Sequence, residues 1–210
     1  MSKAQLSKIR PDFEIIARWI KQNDKVLDLG CGDGSLLKWL CQTCSIDALG
    51  VELNPDLLLE AIRNGIHVIQ ADLENGLQDF SSNTFDKVIL SRTLQTVRQT
   101  EVVLTEMLRV ADEAIVSFPN FAYWKNLKSV LKGKMPVSED LPYSWHDSPN
   151  VRFFTLADFE NLCADLNIQI LEKHLLHENG SEITPPSDFS PNDMNFLTSL
   201  VVCRLGRFQN

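Results

Sequence analysis

Three glycines within five residues dictate more about this chain than anything else in it. They stand in Asp28-Leu-Gly-Cys-Gly-Asp-Gly34, between a short apolar run, Lys25 to Leu29, and an amphipathic stretch, Ser35 to Cys44, with Leu36, Leu37, Leu40, Cys41 and Cys44 at helical spacing. Glycine allows the chain to turn with positive φ and lets backbone N–H groups approach a ligand, while the helix that follows offers its positive end. The pattern therefore predicts a strand, a ligand-facing turn and a helix.

That unit recurs. Asn54 precedes Pro55 as a helix cap should, the helix closes at Asn64-Gly65, and apolar runs at Ala48 to Glu52, His67 to Gln70, Phe85 to Leu90 and Glu113 to Phe118 predict further strands. Pro11 opens a helix with Phe13, Ile16, Ala17 and Ile20 on one face, Asn75-Gly76 predicts a turn, and Thr100 is placed to cap a helix carrying Val103, Leu104, Met107 and Leu108. Thr155-Leu-Ala-Asp158 has the form of a capping box. Two late strands, Gln169 to Leu176 and Leu197 to Leu205, have no helical pattern in the polar connection between them and predict an antiparallel edge pair. Alternating strands and helices give an α/β fold, a mainly parallel seven-stranded sheet covered by helices on both faces.

Composition narrows the function. At 210 residues the chain is expected to form one domain, and 20 basic against 28 acidic residues argue against a nucleic-acid or anionic-membrane binder. No run of about 18 apolar residues exists and Met1 to Arg10 lacks an apolar signal region, so a cytoplasmic protein is expected. Five cysteines, at 31, 41, 44, 163 and 203, suit a reduced compartment. Cys41-Gln-Thr-Cys44 has redox or metal spacing, but both cysteines fall on the apolar stripe of a helix with no second ligand pair, so packing is expected and no metal. His67, His174 and His177 likewise lack partners at metal spacing.

The acids near the turn define a ligand. A nicotinamide fingerprint wants glycines at relative positions 1, 3 and 6, whereas here the third falls at position 5. Asp28, before the first glycine, would repel a diphosphate and suit an ammonium group. Glu52 ends the second strand, where an acid can accept both hydroxyls of a ribose. Asp72 follows the third strand, where its carboxylate and the N–H of Leu73 can read the edge of an adenine. S-Adenosylmethionine carries all of these groups. The expected cofactor contacts are Asp28, Gly30, Cys31, Gly32, Gly34, Glu52, Leu53, Asp72, Leu73 and Ser91, and S-adenosylhomocysteine would use the same ones.

With these residues in place, the chain resembles the class I methyltransferases, through Val26-Leu-Asp-Leu-Gly-Cys-Gly-Asp-Gly34, Gly50-Val-Glu52 and Gln70-Ala-Asp72. The resemblance implies their Rossmann-like fold with an antiparallel last strand. A closer resemblance, to the MetW family of methionine biosynthesis, runs through Arg10-Pro-Asp-Phe13, Val88-Ile-Leu-Ser-Arg-Thr-Leu94, Val116-Ser-Phe-Pro-Asn-Phe121, Met135-Pro-Val-Ser138 and Leu141-Pro-Tyr143. It implies a role beside homoserine O-acyltransferase, as partner or regulator, and identifies no methyl acceptor. A catalytically active methyltransferase on a small metabolite or protein is the alternative, and the signature of amino-methylating enzymes is missing after strand four.

The alternation stops from about 119 to 152. Phe118 to Phe154 holds eight of the 17 aromatics, among them Tyr123, Trp124, Tyr143 and Trp145, which suit a substrate lid, a protein-docking surface or a self-packed excursion. Gln95 joins them as a candidate substrate or partner contact, since it follows strand four with Ser91 and Arg92. Lys125, Lys128, Lys132 and Lys134 suit a solvated helix face that could steer an acidic partner, and His146-Asp147 are adjacent without thereby facing one another. No residue is assigned as a catalytic base.

Overall fold

A computed structural model describes residues 10–184 and 190–208. The polar start and part of the late connection, 1–9 and 185–189, lie outside the described residues. Strands β1 (Lys25–Leu29), β2 (Asp47–Glu52), β3 (His67–Gln70), β4 (Phe85–Ser91), β5 (Ala111–Pro119), β6 (Ile168–Leu176) and β7 (Leu200–Arg207) form one sheet in the order β3-β2-β1-β4-β5-β7-β6. The first five run parallel, and β7 lies antiparallel between β5 and β6. The late strands thus pair as expected, with β6 at the edge and β7 inside.

Period-two alternation sorts the central strands onto two cores. Leu27, Leu29, Val88, Leu90, Val116 and Phe118 face helices α5 (Thr100–Val110) and α7 (Leu156–Asp165), where the Phe118 ring lies 4.6 Å from Phe159 and 4.9 Å from Phe154. Val26, Ile89 and Ile115 face α1 (Pro11–Arg18) and α2 (Ser35–Cys44). The same parity puts Asp28, Ser91 and Ser117 on the α1 side at the carboxyl ends of β1, β4 and β5. Three polar residues therefore end up under the start of a helix. Truncating Phe118 to alanine should cost about 3–5 kcal/mol, the usual range for a buried aromatic.

Several local expectations hold. Asn54 caps α3 (Pro55–Arg63) by accepting the Asp56 N–H at 2.9 Å, and Thr155 and Asp158 form a reciprocal capping box. Others are corrected. Gln99 rather than Thr100 is the N-cap of α5, because the Val103 N–H reaches the Gln99 carbonyl at 3.0 Å. Glu74, from a distant turn, accepts the N–H groups of Arg98 and Gln99 just before that helix. The turn at Asn75-Gly76 closes a single helical turn, α4 (Leu73–Gly76), capped by Asp72. The late connection is not devoid of helix: α8 (Pro191–Leu197) starts on a second capping box, Ser190 with Asp193. Within the long segment, α6 (Trp124–Leu131) displays Lys125 and Lys128 outward.

Candidate functional site

The glycine turn has the geometry its composition demands. Gly30 and Gly34 sit at φ of +68° and +73°, and a Cβ on Gly30 would lie 2.7 Å from Cγ2 of Thr93. A Cβ on Gly32 would meet nothing within 4 Å, so this part of the turn faces open space. The Gly30 and Cys31 N–H groups donate to the Val51 carbonyl at 2.8 and 3.0 Å, which fastens the turn to β2.

That space is a crevice of about 960 Å³ over the carboxyl ends of β1, β2 and β3. Gly30, Gly32, Glu52, Leu53, Asp72 and Leu73 line one side. Glu52 is 9% exposed, with Oε2 accepting the Gly32 N–H at 2.9 Å and Oε1 the Asn54 N–H at 2.8 Å. Two backbone bonds fix the carboxylate and leave lone pairs for a further donor. Asp72 accepts the Glu74 N–H at 3.0 Å, and Leu73 opens α4, where a helix leaves its first N–H groups without internal partners. The far wall comes from Thr93, Thr96, Val97 and Arg98 after β4, and from Tyr143 and Pro149 of the long segment. Of this wall the sequence marks only Tyr143, because nothing in Thr93-Leu-Gln-Thr-Val97 signals a ligand contact.

Three carboxylates (Glu52, Asp72 and Glu74) and one guanidinium (Arg98) line the crevice. The charge balance favours a cation over a diphosphate. Its volume lies within the span of about 300–1,000 Å³ typical of ligand pockets. The crevice therefore has the size and charge to take a small positively charged molecule.

The remaining expected contacts stand elsewhere. Asp28 is 2% exposed and does not line the crevice, and among the described residues no hydrogen bond reaches its Oδ1. Burial pushes its carboxyl up to about 8 against the pull of Arg10, with Glu52 and Asp12 adding to the rise. Cys31 turns under the sheet, so that a Cβ on Gly50 would come 2.5 Å from its Sγ, and burial pushes its thiol up to about 12. It is a packing residue. Ser91 is engaged with α1, accepting from Arg10 Nη2 at 2.7 Å and donating to Asp12 Oδ2 at 3.0 Å.

Of the aromatic candidates, only Tyr143 reaches the crevice. Tyr123 is buried at the start of α6, Trp124 is half-buried beside it, and Trp145 is 78% exposed over a small hollow shared with Met135 and Phe153. Gln95 is buried, and its carbonyl receives the N–H groups of Val151 and Arg152, so it anchors the end of the long segment. Cys41 and Cys44 are half-buried against the α1–α2 core.

One buried group was not foreseen. Asp12, in the first turn of α1, is wholly buried, and its carboxylate meets Arg10, Ser91 and Ser117, with Arg92 Nε at 3.7 Å. Burial raises its pKa, but the Arg10 bond and the charges of Arg10 and Arg92, helped by Ser91, hold it below the usual carboxylate range. An acid beside a helix-opening proline looks in sequence like an ordinary partner for the helix dipole. The strand parity that places Ser91 and Ser117 beneath it was the available signal.

Comparison with known proteins fits this geometry. Solved structures with the same fold include a SAM-dependent methyltransferase from Archaeoglobus fulgidus (TM-score 0.68, 15% identity, covering 93% of this chain and 91% of that one). Another is magnesium protoporphyrin IX methyltransferase from Synechocystis with bound SAH (TM-score 0.63, 15% identity, 94% and 82% covered). At such identities the likeness establishes the Rossmann-like methyltransferase fold alone. A curated relative, the "Bifunctional methionine biosynthesis protein MetXA/MetW" of Rhodopirellula baltica, is 40% identical in a 202-residue alignment that covers 90% of this chain. The chain spans 32% of that relative's length. The model of the family described as "Methionine biosynthesis protein MetW" matches residues 10–203. The chain belongs to the MetW family of methionine biosynthesis proteins.

Proposed function

We propose that this protein binds S-adenosylmethionine, or its product S-adenosylhomocysteine, in the crevice, and acts in the cytoplasm as a partner or regulator of homoserine O-acyltransferase. The observation that carries the reading is the Glu52 carboxylate, held by two backbone N–H groups at the tip of β2 and facing a crevice in which acids outnumber bases. Glu52 accepts the ribose hydroxyls, and Asp72 with the Leu73 N–H holds the adenine edge. The backbone of the glycine turn receives the amino-acid end, with Asp28 buried behind it as a carboxyl that burial keeps protonated and that an approaching ammonium would draw toward ionisation. The bound nucleoside would supply an activated methyl group. Tyr143 covers the mouth from the long segment.

The partnership is supported by the MetW resemblance and by the relative whose name joins MetXA to MetW in one chain. Among the described residues no helix is long and apolar enough to cross a membrane. Purified protein mixed with purified homoserine O-acyltransferase should co-elute in gel filtration, and the acyl-transfer rate should respond to S-adenosylmethionine. Separate elution together with an unaltered rate would refute the partnership. Formation of S-adenosylhomocysteine in the mixture would instead favour the methyltransferase alternative.

A further inference from the structure

A second cavity, of about 300 Å³, lies at the same carboxyl edge of the sheet but beside β4, β6 and β7. Its charged lining is Arg10, Arg92, Glu139, Asp140 and Glu178, with His177 beside them. Both signs of charge are therefore presented within one small volume. A dianion would meet three carboxylates there, and a simple cation two guanidiniums, so neither is well matched. A ligand carrying one charge of each sign is matched.

The two arginines are fixed in advance. Wholly buried Asp12 takes Arg10 Nε at 3.1 Å and also bonds its Nη2, and it stands 3.7 Å from Arg92 Nε. Ser91 and Ser117 hold the same carboxylate at 3.0 and 3.2 Å. Arg92 Nη1 lies 3.1 Å from Asp140 Oδ1, and the Ser199 hydroxyl bonds the other Asp140 oxygen. Among the described residues, Arg10 Nη1 and Arg92 Nη2 have no protein partner, and Arg92 Nε is buried without a hydrogen bond. Arg92 also adopts a φ of +53°, a costly conformation for a side chain this large, held by its N–H donating to the Ser117 carbonyl at 2.8 Å. Such strain gathers where a side chain must be aimed, and preorganised guanidiniums are the usual carboxylate receptors.

We propose that this cavity binds a small α-amino acid as its zwitterion, the carboxylate on Arg10 and Arg92 and the ammonium on Glu139 and Asp140. The site is separate from the nucleoside crevice and its occupancy does not require that reading to be right. Its size admits a free amino acid and excludes a folded peptide.

The test is a titration of the full chain, by calorimetry and ligand-observed NMR, with a panel of small L-amino acids that includes L-methionine and L-homoserine. Each is paired with its decarboxylated amine and its deaminated acid. At least one amino acid should bind, its amine and acid should bind about tenfold more weakly or worse, and Arg92→Gln should weaken it about tenfold, as loss of a charged hydrogen bond does. Glu139→Gln, at an exposed position that need not disturb folding, should weaken it about threefold and decides the matter if Arg92→Gln does not fold. The proposal is overturned if no amino acid binds at tens of millimolar, if the amine or the acid binds as tightly as the parent, or if the substitutions leave affinity unchanged. Parallel titration with S-adenosylmethionine reports on the other crevice, so the two readings fail separately.

Discussion

Replacing Asp28 with asparagine should remove a loss of stability that the protein otherwise suffers as pH rises from acid to neutral. The carboxyl is 2% exposed and burial lifts it to about 8, whereas in the unfolded chain it titrates near 3.8. Between those values the folded state keeps a proton that the unfolded state has lost. Stability from this group is therefore complete below the unfolded value and declines as pH rises through the window, at about 1.4 kcal/mol per pH unit. Across about two units, from about pH 5 to about pH 7, the loss is about 2.7 kcal/mol, or about 5–11 °C in Tm for a chain of this size. Asparagine cannot ionise. Melts followed by circular dichroism at matched ionic strength should show the Tm of Asp28→Asn rising relative to wild type by that amount over the interval, with contributions of other groups cancelling in the difference. Parallel Tm profiles for the two proteins would refute the argument that Asp28 is held neutral by burial.

Other perturbations probe the crevice directly. Glu52→Ala should weaken S-adenosylmethionine binding by about 1.5–3 kcal/mol, because a charged acceptor is removed and the Gly32 and Asn54 N–H groups lose their partner; an unchanged calorimetric affinity would exclude the ribose contact. Gly30→Ala combines positive φ with a 2.7 Å approach to Thr93 and should cost about 1–3 kcal/mol in thermal melts. Gly65→Ala, at φ +83° with nothing within 4 Å, should cost less, and equal costs would discount the Thr93 contact. Tyr143→Ala should weaken nucleoside binding by about 0.5–1.5 kcal/mol with little change in Tm, while Trp145→Ala should leave that binding alone. The reverse order in a fluorescence titration would reassign the mouth of the crevice.

Regular periodicity made most of the sheet legible in the sequence. Val88-Ile-Leu90 suited a strand covered on both faces, and the capping residues Asn54 and Thr155 marked helix starts that the structure keeps. What escaped was decided by distant contacts. Glu74 sits ahead of α5 in space but 25 residues away in sequence from Gln99, so the true N-cap had no local mark. The helix at Pro191 did carry a signal, Ser190 with Asp193, but its single buried residue, Met194, is too little apolar periodicity to declare it. Strand-tip logic singled out Glu52, Asp72, Gly30 and Gly32, which line the crevice because topology forces them to one edge, whereas Gly34 packs toward Ala61 and Ile66. The same logic could not distinguish a residue at the tip from one beneath it. Asp28 and Ser91 point to the α1 side by strand parity, and Cys31 packs against Gly50 instead of facing the ligand space.

Whether the first crevice holds an adenosine bearing an amino-acid end is measured directly by isothermal calorimetry with S-adenosylmethionine, S-adenosylhomocysteine and NAD, each titrated into the full chain. The first two should bind at a single site in the micromolar range while NAD releases no binding heat. Silence from both sulfur nucleosides, or comparable binding of NAD, would contradict the proposed occupancy.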